Sequence, residues 1–211
     1  PTSVISPTTL PTPQAQVASS VTVITAEDIE REQRRTVPDI LVNVPGLNIV
    51  QAGGPGSQTS VFMRGTNANH VKVLIDGTDA SDPTNPARSF EFGHLLAADI
   101  ERIEVLRGPQ SGLYGADAIG GVISIITKRG KGPAKLTGLV EGGTFETFNQ
   151  TASLSGSKDK FDYAFNVAHF RAADTPVAPP NLLPPGRAAI GNFYDNTTAS
   201  TMLGLDISDS F

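Results

Sequence analysis

Few residues in this chain combine the type and the spacing that chemistry requires. Residues 53–57 are rich in glycine, but they lack the Lys-Ser/Thr pair of a phosphate-binding loop, and no helix is predicted after them. Residues 108–112 carry a serine in the wrong position for the nucleophile of a strand–turn–helix elbow. His70, His94 and His169 lie far apart and fit no metal-ligand spacing. We therefore expect no enzyme, no resident metal ion and no cofactor.

Three aspartates recur at intervals of three residues in a segment rich in Gly, Pro and Asn: Asp76, Asp79 and Asp82. Carboxylate oxygens are the ligands that Ca²⁺ prefers, although the spacing does not match an EF-hand. A calcium site and a solvated acidic loop are both open interpretations, and the pattern favours the loop.

The composition excludes further classes of function. The 211 residues include 16 basic and 21 acidic ones, a net charge of −5, so no basic field is available to hold nucleic acid. Cysteine is absent, which excludes disulfides and thiolate metal sites. The first residues do not resemble a signal peptide, and no apolar run approaches the roughly 18 residues of a transmembrane helix. With 21 Gly, 16 Pro and 38% hydrophobic residues, the sequence predicts a turn-rich, mostly β chain.

Two segments are predicted before residue 134. Residues 1–18, rich in Pro, Thr and Ser, form an extended or disordered leader. Residues 19–133 form a small mixed α+β domain whose short strands are predicted at 21–24, 47–50, 60–64, 71–75, 103–106 and 122–127. Long loops remain at 51–58 and 78–92, and loops of that length inside a compact domain are usually functional or disordered.

Three helices are predicted in the same domain. Thr25 is the candidate N-cap of a helix over residues 26–35, whose acidic residues come early and whose arginines come late, as the helix dipole favours. Thr36 is the candidate N-cap of a second helix over 37–43, which ends before a Pro-Gly pair. A third short helix is predicted over 95–99.

Residues 134–211 differ in character and contain four predicted strands, over 135–141, 148–156, 161–170 and 199–208. This part holds nine of the Phe and Tyr residues of the chain. Phe161, Tyr163 and Phe165 alternate with small or polar residues, and the other strands alternate in the same way. Strands of a transmembrane β-barrel and of a soluble β-sandwich both show this period, so periodicity alone leaves the two open.

One stretch carries a specific family pattern. It reads Ile100-Glu101-Arg102-Ile103-Glu104-Val105-Leu106-Arg107-Gly108-Pro109-Gln110-Ser111, then Leu113-Tyr114-Gly115, then Gly120-Gly121-Val122-Ile123-Ser124-Ile125-Ile126-Thr127. Here the sequence resembles the plug domain of TonB-dependent outer-membrane receptors. Further matches, at 21–29, 39–50, 62–65 and 73–77, extend the resemblance over about residues 20–130 in order. Within the family, residues 65–67 and 70–77 look most like the cobalamin transporter branch.

The resemblance implies a fold and a function. Residues 19–133 would be the plug and 134–211 the first strands of an antiparallel transmembrane barrel, so the chain would be part of a longer receptor. Such a receptor imports a scarce chelate, of the cobalamin or iron–siderophore type, across the outer membrane of a Gram-negative bacterium. Its partners would be outer-membrane lipid, the chelate and the periplasmic protein TonB, which adds a β-strand to the N-terminal segment. The alternative from another class is a signalling or adhesive β module with a plug-like fold.

The resemblance also implies site residues. The TonB-coupling segment would be Thr2, Ser3, Val4 and Ile5, with a plain disordered leader as the alternative. The ligand would contact the loops at 51–58 and 78–92, through Gln51, Gly53, Gly54, Ser57, Gln58, Asp79, Asp82 and Asn85, unless these are mobile surface loops.

Two arginines are candidates for a lock between plug and barrel. Arg64 and Arg107 each follow a hydrophobic strand and precede a glycine, which lets the backbone turn and leaves the guanidinium projecting. Charges in a lumen need carboxylate partners, which the resemblance assigns to barrel strands outside this chain. An ordinary ion pair within the plug is the alternative.

Overall fold

The computed structural model describes residues 3–4, 12–13, 20–176, 178–187 and 190–207. Two compact units are present. The first contains the described residues up to Gln51 and Gln58–Thr127, and the second contains Ala52–Ser57 and the described residues from Lys128 onward.

The first unit contains nine short strands and three short helices. The strands are β1 (Ser3–Val4), β2 (Thr12–Pro13), β3 (Ser20–Thr25), β4 (Leu47–Gln51), β5 (Thr59–Met63), β6 (Val71–Ile75), β7 (Thr78–Asp79), β8 (Ile100–Arg107) and β9 (Gly121–Thr127). The helices are α1 (Ala26–Glu32), α2 (Val37–Leu41) and α3 (Ser111–Tyr114). β1 pairs with β2 and β4 pairs with β5, while the remaining strands form one sheet of order β3-β8-β9-β6-β7.

The first two helices begin where the sequence predicts. Thr25 and Asp28 form a reciprocal capping box at the start of α1, and Thr36 accepts the N–H of Asp39 at the start of α2. The predicted ends of both helices are too late. α1 ends because Gln33 adopts a left-handed conformation with φ 53°, and its N–H turns back to the carbonyls of Glu30 and Ile29.

The helix predicted over residues 95–99 is wrong. This segment forms turns and an isolated bridge between Leu96 and Thr36. Its backbone bonds to the segment before α2, since Val37 N donates to Leu95 O and Ala97 N donates to Arg35 O. These long-range bonds satisfy groups that a five-residue helix would leave unpaired at its ends.

The main sheet is buried on both faces. β9 runs antiparallel to β8 and parallel to β6, and Ile123 lies opposite both Val105 and Val73, each at most 1% exposed. The face that bears these three residues packs into the main core with α1, α2, β5 and Phe92. The other face packs Leu74, Leu106 and Val122 against Ala118 and also buries charged side chains, described below.

The second unit contains a four-stranded antiparallel meander. Its strands are β10 (Lys135–Gly143), β11 (Thr147–Lys158), β12 (Phe161–Pro176) and β13 (Gly191–Leu205), paired in sequence order. All four predicted strands are present, and the last begins eight residues earlier than predicted because β13 pairs with the full length of β12.

One face of this meander exposes large apolar side chains, and the opposite face buries small and polar ones. Phe165, Val167 and Leu203 are 43%, 50% and 57% exposed, whereas Ala164 and Asn166 on the opposite face are 0% and 8% exposed. A soluble sandwich buries its large apolar side chains, so the exposed apolar face fits strands that face lipid. In the described part of the chain, no helix is both long and apolar enough to cross a membrane.

The segment between the units belongs with the meander. Ser157 N donates to Gly132 O at 2.7 Å, and a Cβ at Gly130 would lie 2.0 Å from Gly156 O. The first unit therefore ends at Thr127, six residues before the expected domain boundary at 133.

Gly121 tests the packing of the main sheet. A Cβ there would lie 2.1 Å from Leu106 O and 2.3 Å from the Met63 sulfur, and its φ of +150° disfavours other residues. We expect Gly121→Ala to destabilise the first unit by at least about 2 kcal/mol, measured as faster amide hydrogen exchange in β8 and β9. Gly112→Ala is the control, because nothing lies within 4 Å of its Cβ position. Equal exchange in the two variants would contradict the prediction.

Candidate functional site

The first predicted ligand loop is closed by a pair of strands. Gln51 at the end of β4 pairs with Thr59 at the start of β5, and the predicted residues Gln51 and Gln58 are both exposed. Ser57 N donates to Gly54 O at 3.1 Å, and a Cβ at Gly53 would meet the Ser57 hydroxyl at 2.7 Å. The glycines therefore allow a tight turn that displays polar groups between the two glutamines.

The second predicted ligand loop is built from three consecutive side-chain turns. Asp79, Asp82 and Asn85 each accept the backbone N–H of the residue two positions later, at 2.8–2.9 Å. The hydroxyls of Ser81 and Thr84 donate to the same carboxylates, and Asn85 also donates to Ser89. The loop has an ordered conformation that depends on these acceptors.

The two carboxylates differ in their surroundings. Burial opposes ionisation of Asp79, but hydrogen bonds from Lys72 and Ser81 outweigh it and lower the pKa to about 2. Lys72 is 8% exposed, and its Nζ lies 2.5 Å from Asp79 and 3.8 Å from Asp117. The side-chain and backbone hydrogen bonds of Thr84 hold the pKa of Asp82 below its usual range. Asp79 is thus tied to a buried cation, whereas the partner of Asp82 lies within the loop itself.

A calcium site is not formed by these aspartates. Asp76 accepts Thr127 N at 2.9 Å and the Thr127 hydroxyl at 2.7 Å, so it closes the end of β9. Within the described ranges, no three His, Cys, Asp or Glu side chains are grouped so that they could hold a metal ion.

Glu91, which no sequence pattern singles out, joins the ends of the two loops. Glu91 Oε1 accepts the N–H of Thr59 at 2.7 Å and the N–H of Gly93 at 2.9 Å. Phe92 N in turn donates to Thr59 O at 3.3 Å. The base of the first loop and the end of the second therefore meet at Thr59.

Two residues of the second unit, which no sequence pattern singles out, also contact the first loop. Ala52–Ser57 belong to the second unit, where Asn192 Nδ2 donates to Pro55 O at 3.1 Å. The ring of Tyr194 covers Gly56, where a Cβ would lie 2.0 Å from the ring. No local pattern marks Asn192 or Tyr194, because each partner is more than 130 residues away in the sequence.

The side chain of Arg64 reaches the backbone next to Arg107, the second candidate lock arginine. Arg64 is exposed, and its Nη1 lies 3.3 Å from the Cβ position of Gly108, the residue after Arg107. The guanidinium of Arg107 donates to Pro45 O at 2.7 Å and to the Thr22 hydroxyl at 2.8 Å. Arg107 therefore clamps β3 and the turn after α2 within the first unit.

The candidate coupling segment is described only in part. Thr2 and Ile5 lie outside the described residues, whereas Ser3 pairs with Pro13 and Val4 with Thr12. The side chain of Val4 is fully buried.

The chain matches a family model over just over half of its length. The matched residues are 13–122, and the model is that of the TonB-dependent receptor plug domain. The chain belongs to this family. The predicted resemblance to the plug domain is thereby confirmed, whereas the match does not single out the cobalamin branch. We call the first unit the plug.

Solved receptor structures share the fold. The ferripyoverdine receptor of the outer membrane of Pseudomonas aeruginosa aligns with a TM-score of 0.75 and 18% identity over 98% of this chain and 26% of that one. The ferric yersiniabactin uptake receptor of Yersinia pestis aligns with a TM-score of 0.63 and 23% identity over 88% of this chain and 28% of that one. The ferric-catecholate import receptor of E. coli K12 aligns with a TM-score of 0.67 and 22% identity over 92% of this chain and 26% of that one.

The chain thus spans about a quarter of the length of these receptors. The predicted fold class, an α+β plug followed by antiparallel strands that resemble the start of a receptor barrel, is confirmed.

The Lys72–Asp79 pair predicts a pH dependence of the second loop. The pKa of Asp79 is lowered from 3.8 to about 2, so its contribution to stability is complete above about pH 4 and is lost as the pH falls toward 2. We expect pepsin to cut residues 80–92 progressively faster, relative to β11, over this interval. In Asp79→Asn, cleavage should already be fast at about pH 4 and vary less with pH, because the amide cannot pair with Lys72 as an ion. An unchanged pH profile in the variant would contradict this prediction.

Proposed function

We propose that this chain supplies the gating plug and the first barrel strands of a receptor that imports a chelate across the outer membrane of a Gram-negative bacterium. The observation that carries the proposal is the plug fold followed by strands with an exposed apolar face. A signalling or adhesive module has no need for a lipid-facing sheet, so the exposed face favours transport over that alternative.

The proposed ligand is a ferric siderophore. The named solved relatives are receptors for ferripyoverdine, ferric yersiniabactin and ferric catecholates. The two loops carry amide, hydroxyl and carboxylate side chains and glycine backbone groups, which suit the many polar groups of a chelator: Gln51, Gly53, Gly54, Ser57, Gln58, Asp79, Asp82 and Asn85. Cobalamin is the second candidate, favoured by the sequence resemblance at residues 65–67 and 70–77.

Energy would enter through the N-terminal segment. In the proposed mechanism, TonB pairs with residues 2–5 as an added strand and pulls on the plug. Ser3 and Val4 pair with β2 along one edge of β1, so TonB either adds a strand at the opposite edge or displaces β2. The outer-membrane lipid would contact the exposed face of β10–β13.

Substitutions in β1 and β2 test the transport function. We expect Val4→Pro in the receptor that carries this chain to abolish uptake of the ⁵⁵Fe-labelled chelate and leave its binding to whole cells intact, since proline removes a donor needed for strand pairing. Thr12→Pro is the matched control, because it weakens the internal pair without changing residues 2–5 and should retain uptake. The probes are ferripyoverdine, ferric yersiniabactin, a ferric catecholate and radiolabelled cyanocobalamin. Absence of uptake for every probe would count against the proposed function, and normal uptake by Val4→Pro would count against the coupling segment.

We further propose that Arg64 and Arg107 lock the plug through carboxylates outside this chain. The Arg64 guanidinium lies beside Gly108, the residue after Arg107, and Arg107 has donor groups beyond its two internal bonds.

Two variants separate the proposed lock from the internal clamp. Arg107→Ala alone should speed amide exchange in β3, because it removes the bond to Thr22. Arg64→Ala combined with Arg107→Ala should in addition raise permeability of the outer membrane to small solutes. Permeability that matches the unmodified receptor would show that the two residues do not form a lock.

A further inference from the structure

Thr59 is a backbone junction between the two predicted ligand loops. It is the first residue of β5, directly after the first loop, and it is fully buried. On one side it pairs with Gln51 across the base of that loop. Its N–H and its carbonyl are both engaged by the end of the second loop, through Glu91 and Phe92.

The carboxylate of Glu91 is the side-chain group that joins the second loop to Thr59. A single oxygen, Oε1, accepts N–H groups from Thr59 and from Gly93, which lie 32 and 2 residues away. Hydrogen bonds to an ionised acceptor are about twice as strong as neutral ones. Without Glu91, the N–H of a buried strand residue would lack this acceptor, which is costly in a core.

The neighbours of Glu91 fix its position. Phe92 is 2% exposed and belongs to the main core of the plug, and the ring of Phe90 packs edge-on against it at 4.7 Å. The two rings anchor the chain on both sides of Glu91, so the side chain has little freedom to follow one loop and release the other.

We propose that Glu91 is a positioning residue that links the conformations of the two loops, so that a change of order in one loop is passed to the other. Its relevance for chelate binding rests on the proposed function, whereas the link itself is a property of the plug. A ligand that orders one loop would then lower the entropic cost of ordering the other.

The test uses amide hydrogen exchange of the whole receptor in outer-membrane vesicles, with no ligand. Glu91→Ala should speed exchange about tenfold or more at both Thr59 and Gly93, as expected for loss of a charge-assisted hydrogen bond. Glu91→Gln keeps a carbonyl oxygen as acceptor and should stay within about threefold of the unmodified receptor. Faster exchange at Gly93 alone, or failure of Gln to restore protection, would overturn the proposal.

A second pair of variants tests the link between the loops directly. Asp82→Ala removes the bonds to Thr84 and loosens the second loop, so with Glu91 present it should also speed exchange in residues 52–58. In the Glu91→Ala background, Asp82→Ala should add nothing in 52–58, which makes the two effects non-additive. Asp28→Ala is the matched control, because it removes a carboxylate that accepts the backbone N–H of Thr25 at the N-cap of α1 and should leave both loops unchanged.

Unchanged exchange in residues 52–58 of Asp82→Ala would also overturn the proposal, even if Glu91→Ala fails to fold. Because no ligand and no uptake enter this measurement, its outcome is independent of whether the receptor imports a chelate.

Discussion

The plug depends on the placement of β9 between β8 and β6. Ile123 lies between Val105 and Val73 in the middle of the sheet, and all three are essentially inaccessible to solvent. A strand covered on both faces must be nearly continuous in hydrophobicity, which explains the β-branched run of β9. Glycine at 121 lets this strand begin directly against the carbonyl of Leu106, so the ends of β8 and β9 are fixed together.

The second face of the sheet buries charge, and each buried charge has a partner. Lys72 pairs with Asp79, and Glu104, fully buried, accepts from Arg102 at 2.9 Å. Buried ion pairs add little net stability, but loss of one partner is costly. The Lys72–Asp79 pair also ties the start of the second loop to β6. A loop built mainly from side-chain turns is thereby attached to the plug at Asp79 and again at Glu91.

The second unit exposes apolar side chains that the plug would bury. Phe165, Val167 and Leu203 are exposed, whereas Ala164, Asn166 and Ala168 are buried, together with the rings of Phe170 and Tyr194. In water this arrangement would be unfavourable, whereas in a lipid bilayer it places hydrocarbon against hydrocarbon. At one end of β12 the ring of Tyr163 stacks on Phe161 and packs at a tilt against Phe165, with 6.1 Å between ring centres in both pairs. Alternation in sequence is the same in both cases, so only the exposure of the two faces distinguishes them.

Local chemistry determined much of this protein from its sequence alone. The caps at Thr25 and Thr36, the β-branched strands and the family pattern around Arg107 are all encoded within short stretches, so their prediction required no knowledge of the fold. Tertiary structure decided the rest. The segment at 95–99 forms backbone hydrogen bonds to residues 35–37 instead of a helix. Glu91, Asn192 and Tyr194 contact backbone groups that are distant in the chain. A side chain that bonds to a remote backbone N–H or carbonyl leaves no periodicity and no required residue type at its partner, because every residue but proline offers the same two groups.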